Sequence, residues 1–138
     1  MAESKELRLV VNSLERFAGN VVKALVVEVH AMLVRAPSEG GTPVDTGFAR
    51  ANWVPSISVP FASVAGSQQA VSGATAQSGL ALIATRYMLR DGPAFVSNNV
   101  KYIQRLNAGS STQAPPAFVQ KAIADAVRNV ERSRLSAA

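Results

Sequence analysis

The 138-residue sequence predicts a single α+β domain, because helical patterns at both ends of the chain enclose a strand-like middle region. We expect a long N-terminal helix over 4–36, strands and a long loop over 42–100, and a loop with an amphipathic helix over 101–135. A chain of this length buries roughly 68–70% of its unfolded surface, which is enough for a core without disulfides.

The N-terminal helix is the longest predicted element. Its apolar residues recur at steps of three and four from Leu7 to Leu33, with Ser4 as the N-cap and Pro37 beyond the end. About 32 residues of helix span about 48 Å, more than a compact domain of this size needs. We therefore expect one part to pack on its own domain and the rest on another subunit. One long core helix is the alternative.

The middle region predicts a small antiparallel sheet. Strands are expected over 51–54 and 56–59, interrupted at Pro55, and over 94–97 after the Asp91-Gly92-Pro93 turn. No charged residue occurs from 51 to 85. We interpret this segment as a long uncharged loop or hairpin that becomes ordered against neighbouring chains, with a flexible linker as the alternative. Residues 81–89 fit either a helix or a strand.

The C-terminal helix has the clearest amphipathic pattern. Pro115 and Pro116 suit its first turn, and Arg132 and Arg134 suit its C-terminal end. One stripe is apolar, and the opposite face is polar. The stripe consists of Phe118, Val119, Ala122, Ile123, Ala126, Val127 and Val130.

Few residues could support catalysis. The chain has no cysteine and one histidine, His30, which excludes disulfides and thiolate sites and leaves no ligand set for a metal. We therefore expect no cofactor, no metal and no enzymatic activity. Asp45-Thr46-Gly47 matches the triplet of aspartic proteases, so a homodimeric protease is one alternative. A turn in which Gly47 supplies a permissive dihedral is the structural interpretation.

The charge balance is moderately basic, with 14 Lys and Arg against 9 Asp and Glu, a net charge of +5. These residues are scattered and do not form a basic stripe interleaved with aromatic residues. A small nucleic-acid-binding module is a second alternative. No apolar run approaches the ~20 residues of a membrane span, and the acidic start is unlike a signal peptide. We expect folding in the cytoplasm and no membrane partner.

Two longer segments are more specific. Residues 42–53 read TPVDTGFARANW, and residues 96–115 read VSNNVKYIQRLNAGSSTQAP. In this order between a first and a last helix, they resemble the neck and tail-completion (head–tail joining) family of tailed bacteriophages, over about residues 4–132. Many members of that family carry an acidic residue where this chain has Asn107, so the resemblance does not imply a charge-based contact at this position.

The resemblance implies a structural virion protein of the phage neck, assembled in the host cytoplasm. Family members form closed homo-oligomeric rings, usually hexamers, around the channel through which DNA passes without sequence specificity. The implied partners are further copies of the chain, a head-closure or connector protein, and a tail terminator or tail-tube protein. A cyclic ring repeats one head-to-tail contact, so each chain needs two different faces. We assign these to the N-terminal helix and the uncharged segment.

The resemblance also implies roles for the first motif. Asp45 and Thr46 would cap or brace the turn after the first helix, and Gly47 would permit that turn. Arg50 and Trp53 would begin the first strand, with the Trp53 ring anchored in the core.

In the second motif, Tyr102 and Leu106 would pack inward one helical turn apart. Gly109 would belong to the loop ahead of the last helix. The polar residues best placed to contact a partner would be Arg105, Asn107 and Gln113, the last of which lies near the start of the final helix.

Overall fold

The computed structural model describes residues 4–136, and it confirms the α+β class with a long first helix, a two-stranded antiparallel sheet and a C-terminal helix. Short 3-10 turns cover Pro37–Glu39 and Leu89–Asp91. The helices and strands, in chain order, are α1 (Lys5–Val34), α2 (Phe48–Ala51), β1 (Val54–Ile57), α3 (Ala74–Arg86), β2 (Ala94–Ser97), α4 (Ile103–Asn107) and α5 (Phe118–Ser136).

The first helix has two halves with different surroundings. The Ser4 hydroxyl accepts a hydrogen bond from the Leu7 amide at 3.0 Å, which confirms the predicted N-cap. Every residue from 4 to 17 is exposed, and we call this part of α1 the free half. Residues 18–34, the packed half, contain the four buried positions of the helix: Gly19, Val26, His30 and Leu33.

The core lies where the packed half of α1 meets α5. Leu33, Trp53 and Phe118 pack together in one buried cluster with Ala114 and Ala122. α5 runs antiparallel to α1, since Asp125 pairs with Arg35 at 2.8 Å and Asn129 donates to Glu28 at 3.1 Å.

A second cluster joins α1 to α3. Val26, Ile83 and Tyr87 are all buried there, with Ile57 of β1 packed against them. The uncertainty over residues 81–89 is thereby settled: 81–86 complete α3, and the 3-10 turn follows at Leu89.

The sheet pairs β1 with β2 in antiparallel register, from Val54 opposite Ser97 to Ile57 opposite Ala94. The prediction that the first strand begins at residue 51, and that Arg50 and Trp53 open it, is wrong. Residues 48–51 form the one-turn helix α2, and Trp53 precedes the strand. The strand also stops early, because Ser58 has a φ of 69° that extended backbone does not allow.

The uncharged segment is only partly a loop. Residues 74–86 are helical, so the prediction of a loop or hairpin is wrong for residues 74–80. Ala76 and Ile83 are the buried positions of α3, and they face β1 and α1. Ala, Leu and Gln are good helix formers, and tertiary packing supplies the rest.

α1 is also long and apolar enough to cross a membrane, judged by length and composition alone, with a mean hydropathy of 1.6 over its best window. The prediction that no stretch meets this criterion is therefore wrong. Core helices pass the same test, and the packed half of α1 carries Lys23 and a Glu28 that is hydrogen-bonded to Asn129. The absence of a membrane partner stays a prediction.

Candidate functional site

The two sequence motifs meet in space. Residues 43–49 of the first and Tyr102, Leu106 and Gln113 of the second line a small cleft of about 80 Å³. The Gln113 side chain holds them together: its Nε2 donates to the Val44 carbonyl and its Oε1 accepts from the Val44 amide, both at 2.8 Å. The amide group thus pairs with the Val44 backbone as a neighbouring strand would, across 69 residues of sequence.

The turn at Asp45–Gly47 is confirmed in part. The Thr46 hydroxyl accepts from the Phe48 amide at 3.3 Å. Gly47 begins α2 with a φ of 85°, a left-handed conformation that favours glycine. Asp45 is exposed, and its side chain forms no hydrogen bond or ion pair within residues 4–136, so its predicted bracing role is wrong.

Trp53 is a core residue, as predicted, and is 6% exposed. Its Nε1 donates to the Thr42 hydroxyl at 2.8 Å, and that hydroxyl in turn donates to the Leu33 carbonyl at 2.6 Å. These two hydrogen bonds connect the first motif to the C-terminal end of α1. The sequence reasoning missed Thr42, although a buried indole N–H requires an acceptor and Thr42 is a hydroxyl within the same motif.

Asn107 and Gln113 are engaged within their own chain. Asn107 caps α5: its Oδ1 accepts from the Val119 amide at 2.9 Å, and its Nδ2 donates to Gln120 at 3.0 Å. A carboxylate could accept but not donate there. The prediction that Asn107 and Gln113 face a partner therefore lacks support, whereas Arg105 is exposed.

The remaining second-motif residues serve the fold. Tyr102 and Leu106 are half-buried one helical turn apart, and Leu106 packs against the core cluster, as predicted. Gly109 has a φ of 100°, and a Cβ there would lie 2.7 Å from the Pro116 side chain. Only glycine suits this loop.

Two asparagines that the sequence reasoning missed form hydrogen bonds with the backbone of the uncharged loop. Asn52, 1% exposed, pairs with both the amide and the carbonyl of Ala65, at 2.8 and 3.0 Å. Asn99 donates to the carbonyls of Phe61 and Ser63. These hydrogen bonds attach the loop to its own chain at residues 61, 63 and 65, and the expectation that neighbouring chains order it stays a prediction. Asparagine side chains that can satisfy a loop backbone are a signal available in the sequence.

His30 is a buried titratable group beside a second cleft. It is 4% exposed, its Nε2 has no hydrogen-bond partner, and it lines a cleft of about 240 Å³ with Thr46, Arg50 and Gln77. Burial lowers the pKa of His30, opposed in part by a hydrogen bond to the Trp53 backbone. The imidazole is therefore neutral at pH 7.

No constellation for catalysis or metal binding appears in the part of the chain that the structure covers. Residues 4–136 hold no group of three His, Cys, Asp or Glu side chains that could bind a metal ion. Asp45 lies on an exposed turn beside a one-turn helix, and the sheet has two strands. Nothing in this arrangement favours the protease alternative.

The free half of α1 is the other candidate site. It projects about 20 Å beyond its last buried contact, at Gly19. Its large apolar side chains are 39–62% exposed. They are Leu7, Leu9, Val10, Val11, Leu14 and Phe17.

All of these side chains except Leu9 lie on one side of the helix. An exposed apolar helix face of this kind is typical of surfaces that contact another molecule. No protein-family model, curated protein or solved structure matches the chain, so a functional assignment depends on these residues and on the motif resemblance.

Proposed function

We propose that this chain is a structural virion protein of a tailed bacteriophage, a subunit of the ring that joins the head connector to the tail around the DNA channel. The observation that carries the proposal is the free half of α1, which presents an apolar face that no described residue of the chain covers. The motif resemblance supplies the family, and the absence of a catalytic constellation among residues 4–136 is consistent with an architectural role.

The free half has a physical reason to bind. Covering apolar surface contributes about 25 cal/mol per Å². The packed half anchors the helix through Leu33 and Val26, so the free half is already nucleated and loses little conformational entropy on docking. A pre-formed helix with an exposed face is suited to permanent assembly.

The uncharged loop supplies the second face of a head-to-tail ring contact. Its residues 58–73 carry three exposed valines, Val59, Val64 and Val71. Asn52 and Asn99 hold the loop against the body. An uncharged surface can be buried without desolvating charges, which suits the repeated contact of a cyclic oligomer.

The experiment is genetic complementation of a phage that encodes this chain and carries a stop codon in its gene. We expect filled heads and separate tails without the protein, and joined particles when the wild type is supplied. L14D, which places a carboxylate on the apolar face, should fail to join them. L9D is the matched control, because Leu9 is equally exposed but lies on the opposite side of α1.

Other outcomes would overturn the proposal. Normal joined particles without the protein would end it. If D45N prevented joining and also abolished a cleavage product that the wild type forms, the protease alternative would be favoured. DNA binding by the isolated protein that falls steeply with salt would favour a nucleic-acid module.

A further inference from the structure

A regular apolar stripe runs along α1 and is covered for only part of its length. Its members follow steps of four and three, which is the heptad spacing of helices that pack in pairs. We define the stripe as Leu7, Val11, Leu14, Ala18, Val21 and Leu25.

The same stripe continues into the α1–α5 interface. The next positions in the four-three pattern are Glu28 and Met32, and both contact Asn129 of α5. Met32 also packs against the cluster that contains Phe118 and Ala122 of α5. The stripe is therefore one seam, and α5 is its partner at the C-terminal end.

α5 covers this seam only to about residue 23 of α1. Asn129 lies beside Glu28 and Met32. Both helices rise by the same distance per residue. Ser136 comes seven residues after Asn129 and therefore lies at the level of about residue 23 of α1. From there to Ser4 none of residues 4–136 covers the seam, which leaves a slot about 18 residues long.

We propose that a second copy of this chain fills the slot, with residues 4–21 of the two α1 helices packed antiparallel across a two-fold axis. In this register Val11 of one copy lies beside Leu14 of the other, and Leu7 lies beside Ala18. Each helix then begins where α5 of the other copy ends, so the second α1 continues the track of α5 along the same seam.

The flanks of the stripe are self-complementary in this orientation. Antiparallel pairing brings Arg8 beside Glu15 of the second copy, twice by symmetry, and Val10 beside Phe17 on the other flank. A parallel pair would set Val10 beside Glu15. It would also carry the body of the second copy to the level of α5, which already occupies the seam.

The inference does not depend on the proposed function. The pair and the proposed ring contact use the same face of α1, so one chain can form only one of them at a time. A monomeric chain would overturn the pair and leave the ring proposal standing, whereas unimpaired head–tail joining without the protein would overturn only the ring proposal.

Sedimentation equilibrium of the full chain from 1 to 200 μM tests the pair first. We expect a monomer–dimer equilibrium in the wild type and in L9D, and a monomer throughout for L14D. The melting temperature at 1 μM should be the same for all three, because neither position is buried in the monomer. A wild type that stays monomeric to 200 μM, or an L14D that dimerises as well as L9D, would overturn the proposal.

A double-mutant cycle with reversed charges tests the antiparallel orientation of the two α1 helices. R8E places two like-charged pairs in the antiparallel dimer and should weaken it about tenfold at low salt, as should E15R. The double variant R8E/E15R restores opposite charges and should recover the wild-type dissociation constant within about threefold. A double variant as weak as the single variants would overturn the antiparallel register.

Cysteine cross-linking gives the register directly, since the native chain contains no cysteine. Oxidation of L7C mixed with A18C should yield the mixed disulfide dimer, and L7C alone should stay uncross-linked. A dominant L7C–L7C product would overturn the antiparallel pair. So would vesicle binding by the wild type without self-association, tested with mixed neutral and anionic lipids, because it would assign the face to a membrane.

Discussion

The two halves of α1 have similar apolar patterns, but one half packs against the rest of the chain and the other is exposed. In the packed half, Val26 and Leu33 are buried against α3 and α5. In the free half, Leu7 and Leu14 repeat the spacing and remain more than half exposed. The pattern predicts a helix in both halves and gives no information on what covers it.

The difference separates the residues that stabilise the folded monomer from the residues that we propose bind another molecule. The packed half belongs to a core completed by Trp53 and Phe118 within the chain. The free half contributes little to the monomer, since apolar side chains gain free energy only when they leave water. The predictions below test this division, beginning with the largest expected effect.

Two phenylalanines give the strongest contrast. Phe118 is 1% exposed in the core cluster, and Phe17 is 59% exposed on the free half. F118A should lower the free energy of unfolding by about 3–5 kcal/mol, through lost burial and a residual cavity. F17A should change it by less than about 0.5 kcal/mol. Denaturant unfolding at 1 μM measures both, and equal effects would erase the distinction between the halves.

The two ends of α1 give the second contrast. T42V removes the hydroxyl that accepts from Trp53 and donates to Leu33, leaving a buried indole N–H without a partner. We expect a loss of about 1–3 kcal/mol in global stability. S4A removes the N-cap of the free half and costs about 1 kcal/mol of local helix stability. That loss should appear in hydrogen exchange of residues 5–10 and not in global unfolding.

The pH dependence of stability belongs to the packed half. Because the pKa of His30 is lowered in the folded state, the unfolded chain binds the proton more readily. Stability is therefore complete above the ordinary pKa of about 6.5, and it falls as pH drops below that value, by at most about 1.4 kcal/mol per pH unit.

Denaturant unfolding between pH 7.5 and 5.0 measures this slope. In H30N, which cannot take up the proton, the slope should be largely absent even if the variant is less stable overall. A wild type whose stability does not change over this range would contradict the buried neutral imidazole.

The smallest effect concerns the junction of the two motifs. Q113A removes both hydrogen bonds to Val44 at an exposed position, where water can replace them. We expect a loss of about 0.5–1.5 kcal/mol and faster exchange of the Val44 amide. Q104A is the matched control, because Gln104 is exposed on α4, and it should leave both unchanged. If the Val44 amide exchanged at the same rate in Q113A and in Q104A, the hydrogen bonds between Gln113 and Val44 would not be formed.

The elements with strong periodicity were predictable. The bounds of α1 and the C-terminal end of α5 follow from apolar spacing and end signals, and Ser4 and Trp53 have the predicted roles. The prediction that Pro115 and Pro116 form the first turn of the last helix is wrong, because α5 begins at Phe118 after a residue, Ala117, with a positive φ. The errors occur where long-range packing overrides local pattern. Arg50 belongs to a one-turn helix because Gly47 starts it, and the Ala-rich part of the uncharged segment becomes α3 because Ile83 is buried against Val26 and Tyr87.

The site was less predictable than the fold. Asn107 and Gln113 are polar residues beside a loop, and sequence alone assigned them to a partner. Their hydrogen bonds reach Val119 and Val44, the latter 69 positions away, and no local pattern reveals such pairs. Asn52 and Thr42 were missed for the same reason, since the role of each small polar side chain is a hydrogen bond to a backbone group elsewhere in the chain.

The central claim is that the free half of α1 is an interface. Hydrogen exchange of residues 5–17, compared with residues 20–34, tests it most directly in the dilute chain, the concentrated chain and the assembled phage particle. The account predicts fast exchange of the first segment in dilute solution and protection approaching that of the second in the other two samples. Exchange of residues 5–17 that stays equally fast in all three would contradict it.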